Sequence, residues 1–167
     1  MKISLEAATR ELGEELIPLG QASWDECSEI KKDTCAYHGQ RNLPIDPDID
    51  RYLNLAASGS LIVMTLRSNE GVLTGLASVI LYNSLHLKNE LCGNIDVFYV
   101  LPEYRKYMPR FMTSIEKELF SRGINIIAWP VTATGKLREI LKKRGYVADD
   151  VVMELKLKNT SERLSCA

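Results

Sequence analysis

The hydrophobic period of this chain changes at Leu61, and the change limits the folds open to it. Upstream, apolar residues recur every three to four positions. Downstream, Leu61 to Leu66 and Leu73 to Leu81 are β-rich runs separated by the polar, glycine-containing segment Ser68-Asn69-Glu70-Gly71. Two such runs joined by such a turn read as an antiparallel hairpin. Ile95 to Leu101 (IDVFYVL) supplies a third strand, stopped by Pro102. A helical stripe of Met112, Ile115 and Leu119 follows within Pro109 to Ser121, with Gly123 as its stop, and Ile124 to Val131 is β-rich again. Two strands linked through a helix require a crossover. The strand ending at Leu101 and the one starting near Ile124 therefore make a parallel pair in a sheet that begins antiparallel.

The remaining segments fit around this sheet. A short helix is expected over Leu5 to Leu12, ended by Gly13, then a strand-like run Leu16 to Leu19. Ser23-Trp24-Asp25-Glu26 reads as a capping box that opens a helix with Trp24, Cys27, Ile30, Thr34 and Tyr37 on its buried face. Asp46-Pro47 starts a second helix, with Ile49, Tyr52, Leu53 and Ala56 on one stripe and Gly59 as its end. After Val131, Lys136 to Lys143 reads as a helix and Val151 to Leu157 as a last strand. The expectation is one mixed α/β (α+β) domain over residues 1–158, helices on both faces of the sheet, and a polar tail at 159–167. Its 167 residues are ample for one core, and no repeat or Pro/Gly/Ser-rich linker divides them.

Charge and cysteine usage narrow the function classes. The 21 Lys and Arg against 22 Asp and Glu leave a net charge of -1, which argues against a partner held by bulk electrostatics, whether nucleic acid or an anionic membrane. The amino-terminal MKISLEAATREL has neither a signal-peptide core nor an anchor, so a cytoplasmic protein is expected. Cys27, Cys35, Cys92 and Cys166 form no CxxC and do not combine with His38 or His86 at ligand spacing; reduced, buried thiols and no metal are expected. His38 reads as a helix-terminating residue and His86 as a loop residue. No GxSxG elbow or phosphate-binding P-loop is present in the sequence.

The element order, with IDVFYVLPEYRK (Ile95 to Lys106) and LREILKKRGYV (Leu137 to Val147), resembles the GNAT superfamily of acetyl-CoA-dependent N-acetyltransferases. The first segment is similar to the strand-four region of that family and the second to its penultimate helix. The chain also resembles divergent GNAT-like proteins encoded by bacteriophages. The resemblance implies a splayed parallel pair, here Phe98 to Leu101 against Ile127 to Pro130, into which the pantetheine arm of acetyl-CoA or another acyl-CoA fits like an extra strand. It implies cofactor contacts at Phe98, Tyr99, Val100 and Leu101, with an amide of Val100 or Leu101 polarising the thioester carbonyl. The pyrophosphate would rest at the start of the following helix.

Departures from the family pattern fall in that phosphate loop, which reads Arg105-Lys106-Tyr107-Met108-Pro109-Arg110. Arg105 matches; Met108 and Pro109 stand where small residues would let backbone amides approach an anion. Two readings stay open: Arg105, Lys106 and Arg110 bind the phosphates through side chains, or the cofactor site is lost. For the proton on an amine acceptor, the resemblance points to Asp96 as base, with Glu90 as second choice. Alternation along the strand would put Asp96, Phe98 and Val100 on one face. The tyrosine that the family often uses to protonate the leaving thiolate is Leu141 here, leaving water, Tyr99 or Tyr104 as donor. Tyr37, Tyr52, Tyr82, Phe98 and Trp129 are the aromatic residues expected around the acceptor. The implied activity is acyl transfer from acyl-CoA to a small-molecule or protein amine. The alternative is a non-catalytic GNAT-fold binding or assembly protein, such as a phage structural or host-interaction component, acting as a homo-oligomer or with a partner.

Overall fold

A computed structural model describes residues 1–31, 44–131 and 136–148. The chain divides into two compact units, one of residues 1–23 and 44–130, the other containing the described residues 24–31 and 136–148. The first unit holds a five-stranded sheet in the order β1 (Lys2–Glu6), β2 (Leu61–Arg67), β3 (Leu73–Asn83), β4 (Leu91–Val100), β5 (Ile126–Ala128). Neighbours are antiparallel from β1 to β4, and β4 and β5 are parallel. The expected hairpin, third strand and crossover are thus present.

The helices differ from expectation at the amino-terminus. Residues 2–6 form β1, and α1 runs unbroken over Arg10–Lys31, through Gly13, Pro18 and the Ser23-to-Glu26 segment expected to open a helix. Burial explains the override. Leu12 and Leu19 are buried against the sheet, and that apolar contact outweighs the local breakers. Gly13 serves close packing, since a Cβ there would stand 3.2 Å from Ile49 Cγ2. The start of α2 (Ile49–Ala57) lies two residues beyond the expected one: Asp48 is the cap and accepts from the Arg51 amide at 3.0 Å. β4 begins at Leu91, four residues earlier than predicted, because Cys92, Gly93 and Asn94 are paired on both sides by β3 and β5 despite their poor strand propensity. α3 spans Met108–Ser121, preceded by the 3-10 turn Pro102–Tyr107 and ended by Gly123 at φ +76°. α4, in the second unit, is Lys136–Lys143 as expected, with Leu141 buried and the Tyr146 amide closing on the Leu141 carbonyl at 3.1 Å. Among the described residues no helix is long and apolar enough to cross a membrane. The expected strand at 151–157, the tail, Thr34, Cys35, Tyr37, His38 and Cys166 lie outside the described residues.

Each face of the sheet carries its own core. On one, Phe111, Ile115 and Leu119 of α3 close over Ile62, Met64, Leu66, Ala77, Val79, Ile95 and Val100. On the other, Leu12 and Leu19 of α1 and Tyr52, Leu55 and Ala56 of α2 cover Leu61, Val63, Leu76 and Val97.

Candidate active site

The site is built on a β-bulge in β4. Ser78 stands opposite Val97, but the next residue, Val79, stands opposite Ile95, so Asp96 is an extra residue without a β3 partner. The bulge shifts the alternation. Ile95, Phe98 and Val100 pack toward α3, whereas Val97, Tyr99 and Leu101 pack toward α1 and α2. Asp96 contacts Tyr52 and Ser78 on that second face, so the expected grouping of Asp96 with Phe98 and Val100 does not form.

The Asp96 side chain is exposed, yet two donors from different elements reach it. The Tyr52 hydroxyl donates to Oδ2 at 2.9 Å and the Ser78 hydroxyl donates to the same oxygen at 3.1 Å. Ser78 Oγ in turn accepts the amide of Val97, the residue after the bulged Asp96, at 3.1 Å. Burial first, then the Asp96 charge and its hydrogen bond, push the Tyr52 phenol up to about 12, so Tyr52 remains protonated and acts as a donor.

Beside this carboxylate the sheet opens. Pairing of β4 with β5 ends at Asn94 and Ala128, while β4 continues to Val100. The Leu101 amide is donated to the Thr74 carbonyl across β3 at 3.0 Å. That excludes Leu101 as the oxyanion donor, and strand alternation turns the backbone groups of Phe98 and Val100 to the opposite, β5 side. There the Val100 carbonyl accepts Arg105 Nε at 3.2 Å. Trp129, one residue beyond β5, stands edge-on to Phe98 with ring centroids 5.0 Å apart and packs on the α3-side core.

The remaining sequence candidates are dispersed. Arg105 bends back over the Tyr99 ring at 5.9 Å, and Lys106 lies 5.2 Å from the centre of the Tyr107 ring. Tyr99 belongs to the α1/α2 side and Tyr107 to the α3 side, which separates these two cations, and Arg110 is exposed. Of the first-turn amides of α3, that of Met108 is donated to the Arg105 carbonyl and Pro109 has none. Tyr104 packs against the α3-side core. Glu90 accepts from Asn125 Nδ2 at 2.7 Å, six residues and roughly 20 Å along β4 from Asp96. Tyr52 and Phe98 lie on opposite faces and Tyr82 is exposed at the far end of β3, so the expected aromatic set does not line one pocket.

No family model matches the sequence, and no curated protein matches it significantly. Solved structures do. A tetramutant of the BH1408 protein of Bacillus halodurans superposes with a TM-score of 0.73 at 13% identity, over 94% of this chain and 100% of that one. A ribosomal-protein-alanine N-acetyltransferase from Brucella melitensis biovar Abortus 2308 gives 0.64 at 14%, over 94% and 100%. AAC(6')-Iy, in complex with the bisubstrate analog CoA-S-monomethyl-acetylneamine, gives 0.63 at 12%, over 95% and 100%. The chain has the GNAT fold.

Proposed function

We propose that this protein transfers an acetyl or other acyl group from acyl-CoA to an amine, with Asp96 as the base. The observation that carries the reading is the end of β4–β5 pairing at Asn94, which leaves the Phe98 and Val100 edge open one bulge away from an exposed carboxylate. A peptide-like pantetheine arm suits that edge. Bound acyl-CoA supplies the activated thioester. Asp96 takes the proton of the acceptor ammonium, and the Val100 amide donates to the carbonyl oxygen as charge develops on it. The departing thiolate takes its proton from water or Tyr99, since Leu141 offers none. The pyrophosphate would depend on the side chains of Arg105, Lys106 and Arg110 turning from their present positions to one point, because the Met108 amide is already donated and Pro109 has none.

Isothermal titration with acetyl-CoA tests this. Binding is expected, lost in Arg105→Ala and Arg110→Ala, and steeply salt-dependent, since exposed cations are screened over about 8 to 10 Å at ordinary ionic strength. No binding at millimolar acetyl-CoA overturns the reading. Neamine and a peptide with amino-terminal alanine are the acceptors to try first, because enzymes of this fold act on each class. The loss of the Met108 and Pro109 amides at the start of α3, together with Leu141, favours a second reading, a non-catalytic binding or assembly protein; thiol release with either acceptor eliminates it.

A further inference from the structure

We infer that Tyr52 and Ser78 are positioning residues that fix the Asp96 carboxylate with Oδ1 turned to the acceptor amine. The inference rests on the acyltransferase reading for its function, and on three elements of the first unit for its geometry. Among the described residues, both hydrogen bonds to Asp96 fall on Oδ2, one from α2 and one from β3. The donors are themselves constrained. Ser78 Oγ accepts the Val97 amide, which points its own proton at Asp96. Tyr52 is half-buried against the α1/α2-side core and cannot give up its proton near neutral pH. A carboxylate on a bulge would otherwise rotate freely in solvent. Two donors on one oxygen remove that freedom and leave the second oxygen as the acceptor of an ammonium proton. The bulge makes the arrangement: it brings Asp96 to the face on which Tyr52 and Ser78 lie, next to Val97, whose amide orients Ser78.

The test combines kinetics with an observable that needs no turnover. Acetyl transfer to neamine and to the alanine peptide is measured by thiol release for Tyr52→Phe, Ser78→Ala, Asp96→Asn and the double variant Tyr52→Phe/Asp96→Asn. Tyr52→Phe should lower kcat by about tenfold, as expected for one hydrogen bond to a charged group, with the KM for acetyl-CoA unchanged. In the Asp96→Asn background the same substitution should cost nothing further. In parallel, tyrosine labelled at the ζ-carbon is followed by NMR at neutral pH. Asp96→Asn should move the Tyr52 resonance, assigned by its loss in Tyr52→Phe, and leave the other tyrosines in place. Full activity of Tyr52→Phe, an added loss in the Asp96→Asn background, or an unmoved Tyr52 resonance overturns the assignment. Absence of transfer by the wild-type protein overturns the acyltransferase reading instead, and the NMR result then decides by itself whether Tyr52 holds Asp96.

Discussion

The two faces of the sheet are closed by different means. Toward α3 the fully buried helix side chains are apolar: Phe111, Met112, Ile115 and Leu119 are each fully buried, and Phe98 and Trp129 pack alongside. Toward α1 and α2 the buried side chains include the hydroxyls of Thr65 and Ser78, and each answers to a carboxylate at one end of the face. Thr65 donates to Glu6, which with Glu15 holds Arg67; Ser78 donates to Asp96. The first face can only hold strands together. The second gives part of its area to placing charges, which is what a site for proton transfer requires. One sheet thus separates apolar packing from charge placement by face, with the β4 bulge deciding on which face Asp96 falls.

The largest effect that probes this division is on the α3 side. Phe111→Ala should cost about 3 to 5 kcal/mol, the range for deleting a fully buried aromatic side chain. Tyr52→Phe keeps the ring and removes one exposed hydrogen bond, so about 1 kcal/mol is expected. Urea denaturation of both variants provides the comparison. Equal losses would mean that the α1/α2 face contributes as much to stability as the α3 face does.

A smaller effect is expected at Gly75, opposite Val100. A Cβ there would stand 3.0 Å from Leu66 Cβ and 3.2 Å from both the Tyr99 carbonyl oxygen and Val100 Cγ2. Gly75→Ala should therefore cost about 1 to 3 kcal/mol by overpacking. It should also displace the open end of β4, so acetyl-CoA affinity should fall along with the urea midpoint. A stability loss with unaltered affinity would show that the β4 edge is not the binding element.

The α3 side was legible in the sequence because it is periodic. Met112, Ile115 and Leu119 announce a helix face, and Leu61 to Leu66 and Leu73 to Leu81 announce the strands that it covers. Asp96 was legible as a carboxylate near the end of a strand, but its face was not. A bulge has no composition signature in IDVFYVL, and one extra residue reverses the side on which everything before it points. Ser78 left only a faint mark, a hydroxyl in the middle of an apolar run, and Tyr52 read as a helix-stripe residue and one of five aromatics expected around the acceptor, not as a partner of Asp96. Their meeting at Asp96 spans 44 residues from Tyr52 and 18 from Ser78, which no local pattern encodes. The amino-terminal difference has the opposite origin. Gly13 and Pro18 are strong local breakers, and the burial of Leu12 and Leu19 outweighed them.

The smallest effect concerns how the two faces respond to acid. Hydrogen bonds from Arg67 hold the Glu6 and Glu15 carboxyls below their ordinary value of 4.5, aided at Glu6 by the Thr65 hydroxyl and at both by the Arg67 charge. A carboxyl lowered in the folded state contributes stability that is complete above its unfolded value and is lost as the pH falls through the folded one. That contribution should therefore be constant at neutral pH and begin to disappear below about pH 4.5, where the unfolded chain takes up protons first. Arg67→Met keeps the length of the stem and removes the donors. Glu6 retains Thr65 and Ser4 as partners, so its carboxyl should return only part of the way, while Glu15 loses its principal partner. The urea midpoint of Arg67→Met should lie below that of the wild type at pH 7, and the two should approach each other as the pH drops toward 3. Phe111→Ala removes apolar contacts alone, so its deficit should stay nearly the same over that range. If the Arg67→Met and wild-type curves run parallel instead, the Glu6, Glu15 and Arg67 cluster does not hold the α1/α2 face, and the distinction between the two faces reduces to Asp96 and its two donors.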